Sequence, residues 1–316
     1  MTVRTITITG GSGFVGQLLQ RDLRARGYQV EVFDRLRGPL VNALRRTWIG
    51  ANAPADAIPR ARALRGSQAR VERALLRARV LRPTWDDVLD LRSRLAERFR
   101  GSAAVVHLAA LPHANVAGAA EEDYRRLNYD GAVNVFRAAQ DAGVPRFVFA
   151  SSAQVYGIND PVRIDQFPIL ESNHLPSPAE GQSPYGALKV EFERYLDDAC
   201  RSGDTSAVAL RLECPGVRSD MPMNFFASTS VENTAAGFAC ALEADLETPF
   251  EACNLVDGHV DPAIVDVQAF LREHWPEVPN RTRGNESLLS IEKARRLLGY
   301  EPARDGTYFP LSLIWG

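Results

Sequence analysis

The sequence predicts an α/β fold: a doubly wound parallel sheet followed by a small C-terminal lobe that closes over a substrate. Three observations lead there. Short β-rich runs alternate with amphipathic stretches of helical period through the first two thirds of the chain. A glycine-rich turn follows the first of those runs and opens the first helix. The 316 residues, 45% of them hydrophobic, suffice for one large domain, or one domain with a smaller lobe.

The strand-like runs are residues 3–9, 29–33, 103–108, 146–150 and 207–212. Helical patterns fall between them at 13–26, 124–142 and 184–200. Residues 1–212 are therefore expected to form the sheet domain. Pro and Gly punctuate the chain at Cys214-Pro215-Gly216 and Met221-Pro222, and residues 213–316 are expected to form the lobe. A net charge of −2 gives no field that would draw nucleic acid or a membrane surface. The four cysteines show no paired spacing, so they suggest neither a disulfide framework nor a zinc site, and a reduced, cytoplasmic setting is expected. No apolar run approaches membrane-spanning length. Lys189 and Lys293 are the only lysines; every other basic residue in the chain except its histidines is arginine.

The first run ends in Thr9-Gly10-Gly11-Ser12-Gly13-Phe14-Val15-Gly16. Glycines at 10, 13 and 16 permit a tight turn and close backbone approach to a pyrophosphate at the helix N-terminus, where Phe14 and Val15 supply amides. Asp34 follows the second run, where a carboxylate can accept the ribose hydroxyls. This is a Rossmann-type cradle. A carboxylate there repels a 2′-phosphate, so NAD is expected over NADP, although Arg35 and Arg37 leave room for the latter.

Ser183-Pro184-Tyr185-Gly186-Ala187-Leu188-Lys189 reads as a helix start, with Ser183 as cap and Pro184 in the first turn. Tyr185 and Lys189, four apart, share a face. A free tyrosine titrates near ~10 and needs help to act as a base at neutral pH. A neighbouring ammonium and the positive helix end both favour the phenolate. Ser152, in Phe149-Ala150-Ser151-Ser152-Ala153-Gln154, ends a strand where its hydroxyl can hold the reacting oxygen beside Tyr185.

With these pieces in order, the chain resembles the extended short-chain dehydrogenase/reductase, or NAD-dependent epimerase/dehydratase, family. Further matching pieces are Asp87-Val88, His107-Leu108-Ala109-Ala110 and Asn128. The resemblance implies an NAD-dependent enzyme with Tyr185 as general base and acid, Lys189 as its electrostatic partner and Ser152 as the substrate-orienting hydroxyl. It also implies cofactor contacts from Asp87, Val88, Leu108, Ala109, Ala110 and Asn128, with Tyr185 and Lys189 reaching the same ligand. His107 is read as a strand-end packing residue.

Departures from the family pattern narrow the reaction. The family's sugar 4,6-dehydratases place an Asp-Glu pair where Ala153 and Gln154 stand, and its decarboxylases a glutamate in place of Gln154. Nucleotide-sugar epimerases carry an asparagine at the position of Cys214 and an arginine at that of Phe226; in these respects the chain is more similar to small-substrate members such as uronate dehydrogenases. The leading expectation is hydride transfer at a secondary hydroxyl or ketone of a sugar-like small molecule without a nucleotide tail, with net dehydrogenation slightly ahead. A nucleotide-sugar epimerase with retained NAD is the alternative, and an NAD-binding regulator or scaffold the non-enzymatic one. A homodimer is compatible with the family; no nucleic-acid or membrane partner and no metal is expected. Residues from about 40 to 82, rich in arginine and almost free of acids, interrupt the alternation. They are expected to form a helical excursion near the adenosine end that supplies no catalytic group.

Overall fold

The computed structural model describes residues 4–34, 88–89, 92–112, 120–158 and 163–309. The insertion at 40–82, Arg35, Arg37 and Asp87 lie outside the described residues. Six parallel strands form one sheet among those residues: β1 (Thr5–Thr9), β2 (Gln29–Phe33), β3 (Ala104–His107), β4 (Arg146–Ser152), β5 (Ser206–Leu212) and β6 (Phe250–Leu255), in the order β2-β1-β3-β4-β5-β6. Helices α1 (Phe14–Ala25), α2 (Arg92–Phe99), α3 (Glu121–Tyr124), α4 (Gly131–Asp141), α5 (Pro184–Cys200) and α6 (Val231–Glu243) connect them, and α7 (Val267–His274) and α8 (Glu292–Leu298) follow. A π-helical stretch at Arg125–Asp130 joins α3 to α4.

Both faces of the sheet are covered, so its central strands are apolar on alternate sides. One face presents Ile6, Ile8, Val106, Val148, Val208 and Leu210 to Leu19 and Leu23 of α1 and Phe238 of α6. The other presents Val105, Phe147, Phe149, Ala207 and Ala209 to Phe136 of α4 and to Phe192 and Leu196 of α5. Period-two alternation thus assigns each strand residue a helix layer.

The sheet does not stop where the sequence places the end of its domain. Helix α6 and strand β6 lie beyond Leu212, and β6 pairs along β5 from Ala207↔Phe250 to Leu212↔Leu255. The lobe also draws on earlier chain: Phe167 and Ile169 donate to the carbonyls of Pro279 and Leu288, both at 2.8 Å. Strand β4 runs two residues further than the expected 146–150, which brings Ser151 and Ser152 into register with Arg211 and Leu212.

Beneath that end of the sheet, Arg211 on β5 and Glu193 on α5 form an ion pair at 2.6 Å, each side chain only 4% exposed. Arg211 also donates to the Tyr156 hydroxyl at 2.7 Å, and Tyr156 donates to Asn254 on β6 at 2.8 Å. Ser151 donates to Glu193 at 2.5 Å. Removing one member strands a buried charge, so Arg211→Met should destabilise the protein by about 3–5 kcal/mol. Urea denaturation monitored by circular dichroism measures it; a loss below about 1 kcal/mol would mean that the pair ties nothing together.

Candidate functional site

Strands β1 and β3 end side by side, with Thr9 opposite His107. The chain leaves β1 for β2 on its other flank, so the loops after β1 and β3 part and open a crevice at the carboxyl edge of the sheet. Gly10 stands at φ +71°, and a Cβ there would lie 2.6 Å from the Ala109 amide nitrogen. The two loops therefore pack backbone to backbone, and Leu108 donates to the Thr9 carbonyl at 3.0 Å. A Cβ on Gly16 would lie 2.5 Å from Gly11 Cα, so α1 begins pressed against the turn. Gly13 differs: it is exposed, and an added Cβ would meet only the Gly10 carbonyl, at 3.2 Å. It is also the N-cap of α1 and gives that helix no side-chain cap. Asp34 Oδ2 accepts the Ser12 amide at 2.8 Å, which fixes the carboxylate at the turn. These residues fit a dinucleotide: an open glycine, an uncapped helix start and an oriented carboxylate lie together.

Of the remaining expected cofactor residues, Val88, Leu108, Ala109, Ala110 and Asn128 lie among the described ones. Val88 is buried, and its carbonyl accepts from Asn134 at 2.8 Å. Leu108, Ala109 and Ala110 form the half-buried loop after β3. Asn128 grips that loop from the π-helical stretch, accepting the Leu111 amide at 2.8 Å and donating to its carbonyl at 3.1 Å. Asn128 thus acts on the crevice through the loop it shapes.

The reacting end lies along β4 and α5. Side chains alternate along a strand, so consecutive serines point to opposite sides. Ser151 bonds Glu193 beneath the sheet edge, whereas Ser152 hydrogen-bonds Tyr185 and accepts the Gln154 amide at 3.2 Å. Ser183 caps α5, accepting the Gly186 amide at 3.1 Å, and Pro184 fills the first turn. Tyr185 is thereby fixed at the helix start, with Lys189 one turn on. Lys189 Nζ donates to the Ala150 carbonyl at 2.7 Å, and lies 4.4 Å from the Phe149 ring centroid and 5.5 Å from that of Tyr185.

Burial raises the Tyr185 hydroxyl above its usual range, and the bond to Ser152 opposes the rise. Burial also lowers the Lys189 ammonium to about 7, with Glu193 pulling the other way. His107 is a packing residue with a neutral ring: burial, then Lys189, lowers it to about 3. It stacks 6.0 Å from both Phe147 and Phe149, with Nδ1 2.6 Å from Thr9 Oγ1.

Two side chains that the sequence did not single out belong to this site. Gln182 donates to the carbonyls of Gln154 and Val155, both at 3.0 Å, and accepts the Ser183 amide at 2.9 Å. It bolts the turn after Ser152 to the start of α5. Glu213, the residue after β5, is buried beside Gln154 and acts electrostatically on Tyr185. Its sequence signal was a carboxylate directly after an apolar strand.

Cys214 and Phe226 occupy the positions compared above. Cys214 is buried at φ 41°, and its sulfur accepts from Asn224 at 3.1 Å. Phe226, at φ 54°, packs edge-on against Phe270 with centroids 5.1 Å apart. Arg218 pairs with Asp261 and lies 4.4 Å over the Tyr308 ring, beside a cleft of about 210 Å³ that His259 and Arg304 also line. Among the described residues no group of His, Cys, Asp and Glu could hold a metal ion, and no helix is long and apolar enough to cross a membrane.

Comparison with known proteins agrees with this geometry. The UDP-glucose 4-epimerase of Schizosaccharomyces pombe is 29% identical over 214 residues, covering 67% of this chain and 52% of that protein. The mouse UDP-glucose 4-epimerase is 30% identical over 211 residues, covering 65% and 52%. The chain thus spans about half the length of the curated relatives it matches. Among solved structures, the UDP-glucose 4-epimerase of Stenotrophomonas maltophilia with bound NAD and formylated UDP-arabinopyranose aligns with a TM-score of 0.62 at 21% identity, over 96% of this chain and 94% of that one. MoeE5 in complex with UDP-glucuronic acid and NAD aligns at 0.61 and 21%, over 95% and 94%. These two share the fold. The model of the NAD dependent epimerase/dehydratase family matches residues 6–215. The chain belongs to that family, the extended short-chain dehydrogenase/reductases whose cofactor is NAD.

Proposed function

We propose that this chain moves a hydride between NAD and a hydroxyl-bearing carbon of a sugar, and does so as a nucleotide-sugar epimerase. The observation that carries the hydride-transfer reading is the convergence of Ser152, Tyr185 and Lys189 at the carboxyl edge of the sheet, beside the dinucleotide crevice. The relatives favour epimerisation, which reverses the order expected from Cys214 and Phe226 alone.

The chain's own residues divide the work. Ser152 donates to the substrate oxygen and holds it against Tyr185. Tyr185 takes the hydroxyl proton as the carbon is oxidised and returns it when the carbonyl is reduced. Lys189, buried one turn along, supplies positive charge that lowers the cost of the phenolate and can also reach a ribose hydroxyl. NAD, when bound, would supply the hydride acceptor and donor. Gly13, Phe14, Val15 and Asp34 are the residues that would hold it.

A second reading, net dehydrogenation of a small sugar, is favoured by a specific observation. Cys214 is engaged with Asn224, Phe226 with Phe270 and Arg218 with Asp261. The Cys214 thiol and the Phe226 ring thus offer no polar grip on a diphosphate, and Arg218 would have to leave Asp261 to provide one. An epimerase keeps NAD through turnover, whereas a dehydrogenase must exchange it. Denaturing the purified protein should release close to one NAD per chain, and UDP-glucose should convert to UDP-galactose without accumulation of NADH. An empty cofactor site, with NADH accumulating on a free sugar, would overturn the epimerase in favour of the dehydrogenase.

The two serines provide a separate test. Ser152→Ala should lower kcat by about 10–100-fold, and Tyr185→Phe by about 10³-fold or more, with NAD still bound. Ser151→Ala should leave kcat within about twofold but cost about 1–2 kcal/mol of stability, because Glu193 loses a buried bond. Reversed effects at the two serines would refute the assignment.

A further inference from the structure

Glu213 follows Leu212, the strand neighbour of Ser152, and so stands on the rim of the sheet just past the reacting end. It is 9% exposed. Its carboxyl is hydrogen-bonded with the side chains of Gln154, Asn224 and Cys214, the thiol donating at 3.6 Å. The backbone N–H of Gln154 in turn donates to the Ser152 hydroxyl, and Glu213 acts on the Tyr185 hydroxyl. Among the described residues every group acting on this carboxyl is neutral, in contrast to Glu193, which has Arg211, and Glu251, which has Lys293. The titratable groups facing it are Tyr185 on α5 and Cys214 on its own turn; Gln154 from the turn after β4 and Asn224 from the 222–224 turn carry no charge. An acid buried without a counter-charge is costly, and a turn could be held as well by an amide.

Resting on the hydride-transfer reading above, we propose that Glu213 is a substrate-contacting specificity residue: with Gln154 it hydrogen-bonds ring hydroxyls of a neutral sugar beside the reacting carbon, and it turns away the matching uronate. Among the described residues no cation acts on this carboxyl that could instead pair with a substrate carboxylate. A protonated Glu213 donates to a hydroxyl, and an ionised one accepts from it but repels a second carboxylate. Burial pushes its carboxyl up to about 7, so the selectivity sharpens with rising pH as the proton leaves.

The test compares wild type, Glu213→Gln and Glu213→Asp, each loaded with NAD, on UDP-glucose against UDP-glucuronate and on glucose against glucuronate, at pH 6 and pH 8. Wild type should favour the neutral member of the pair it uses by at least about tenfold in KM at pH 8, and by less at pH 6. In Glu213→Gln the ratio should fall to within about threefold and lose its pH dependence. Glu213→Asp, which keeps the charge but withdraws it by one methylene, should weaken the neutral sugar yet retain the pH dependence; it also serves if the glutamine variant does not fold. A wild type that turns over the neutral sugar with KM values unchanged in Glu213→Gln defeats this proposal alone, as does a wild-type preference for the uronate. If no sugar is turned over by wild type, the hydride-transfer reading itself has failed and the proposal falls with it.

Discussion

Much of this site depends on one buried carboxylate, Glu193. It receives Ser151 from β4 and Arg211 from β5 while sitting on α5, one turn beyond Lys189. Three elements that each contribute to the reacting end are thereby locked into one rotation and one register. Ser151 is held down, so the next residue along the strand, Ser152, must face the crevice. Helix α5 cannot roll, so Tyr185 and Lys189 stay on the face towards β4. The desolvation cost of such a pair is large, and apolar residues of equal volume would often be as stable. What apolar packing would not supply is direction, and the site needs its hydroxyl, phenol and ammonium to converge.

The parts that were legible in the sequence are those whose chemistry is local. Thr5 to Gly16 announces a strand, a turn and a helix start, because the β-branched run and the glycines act through their own backbone. Ser183 and Pro184 mark the start of α5 for the same reason, and four-residue spacing then places Lys189. The two serines differ in partner, Ser151 bonding Glu193 and Ser152 bonding Tyr185. Strand β6 was hidden, because Phe250–Leu255 is a short apolar run whose identity comes from pairing with β5 far away in sequence. Gln182 and Glu213 were hidden because an amide or carboxylate acquires a role only from what tertiary packing sets beside it.

The turn at 214–226 shows what the substrate side requires of the chain. Cys214, Phe225 and Phe226 all adopt positive φ without being glycine, a conformation that costs energy and persists only where surroundings enforce it. The enforcement is visible. Asn224 bonds the Cys214 sulfur, Ser219 bonds Asn224 at 2.6 Å, and the Ser228 hydroxyl accepts the Ser219 amide at 2.8 Å. Phe225 is wedged against Phe167 and Trp275, with centroids 5.5 and 5.9 Å away. A relaxed loop would need none of this. The strain lies directly beside Glu213, the carboxyl that acts on the Tyr185 hydroxyl.

Two buried glutamates therefore do opposite things within one site. Glu193 meets a guanidinium, and its charge holds Lys189 closer to its protonated form. Among the described residues Glu213 bonds two amide side chains and a thiol, and burial holds its proton on until near neutrality. The same side chain is made an anchor in one place and a proton-bearing surface in the other by its neighbours alone. The charged member is buried under the sheet edge, away from substrate, where its field acts through Lys189. The other, Glu213, follows β5 beside Gln154, where its proton decides its effect: ionised, it raises the cost of the Tyr185 phenolate, and protonated it does not.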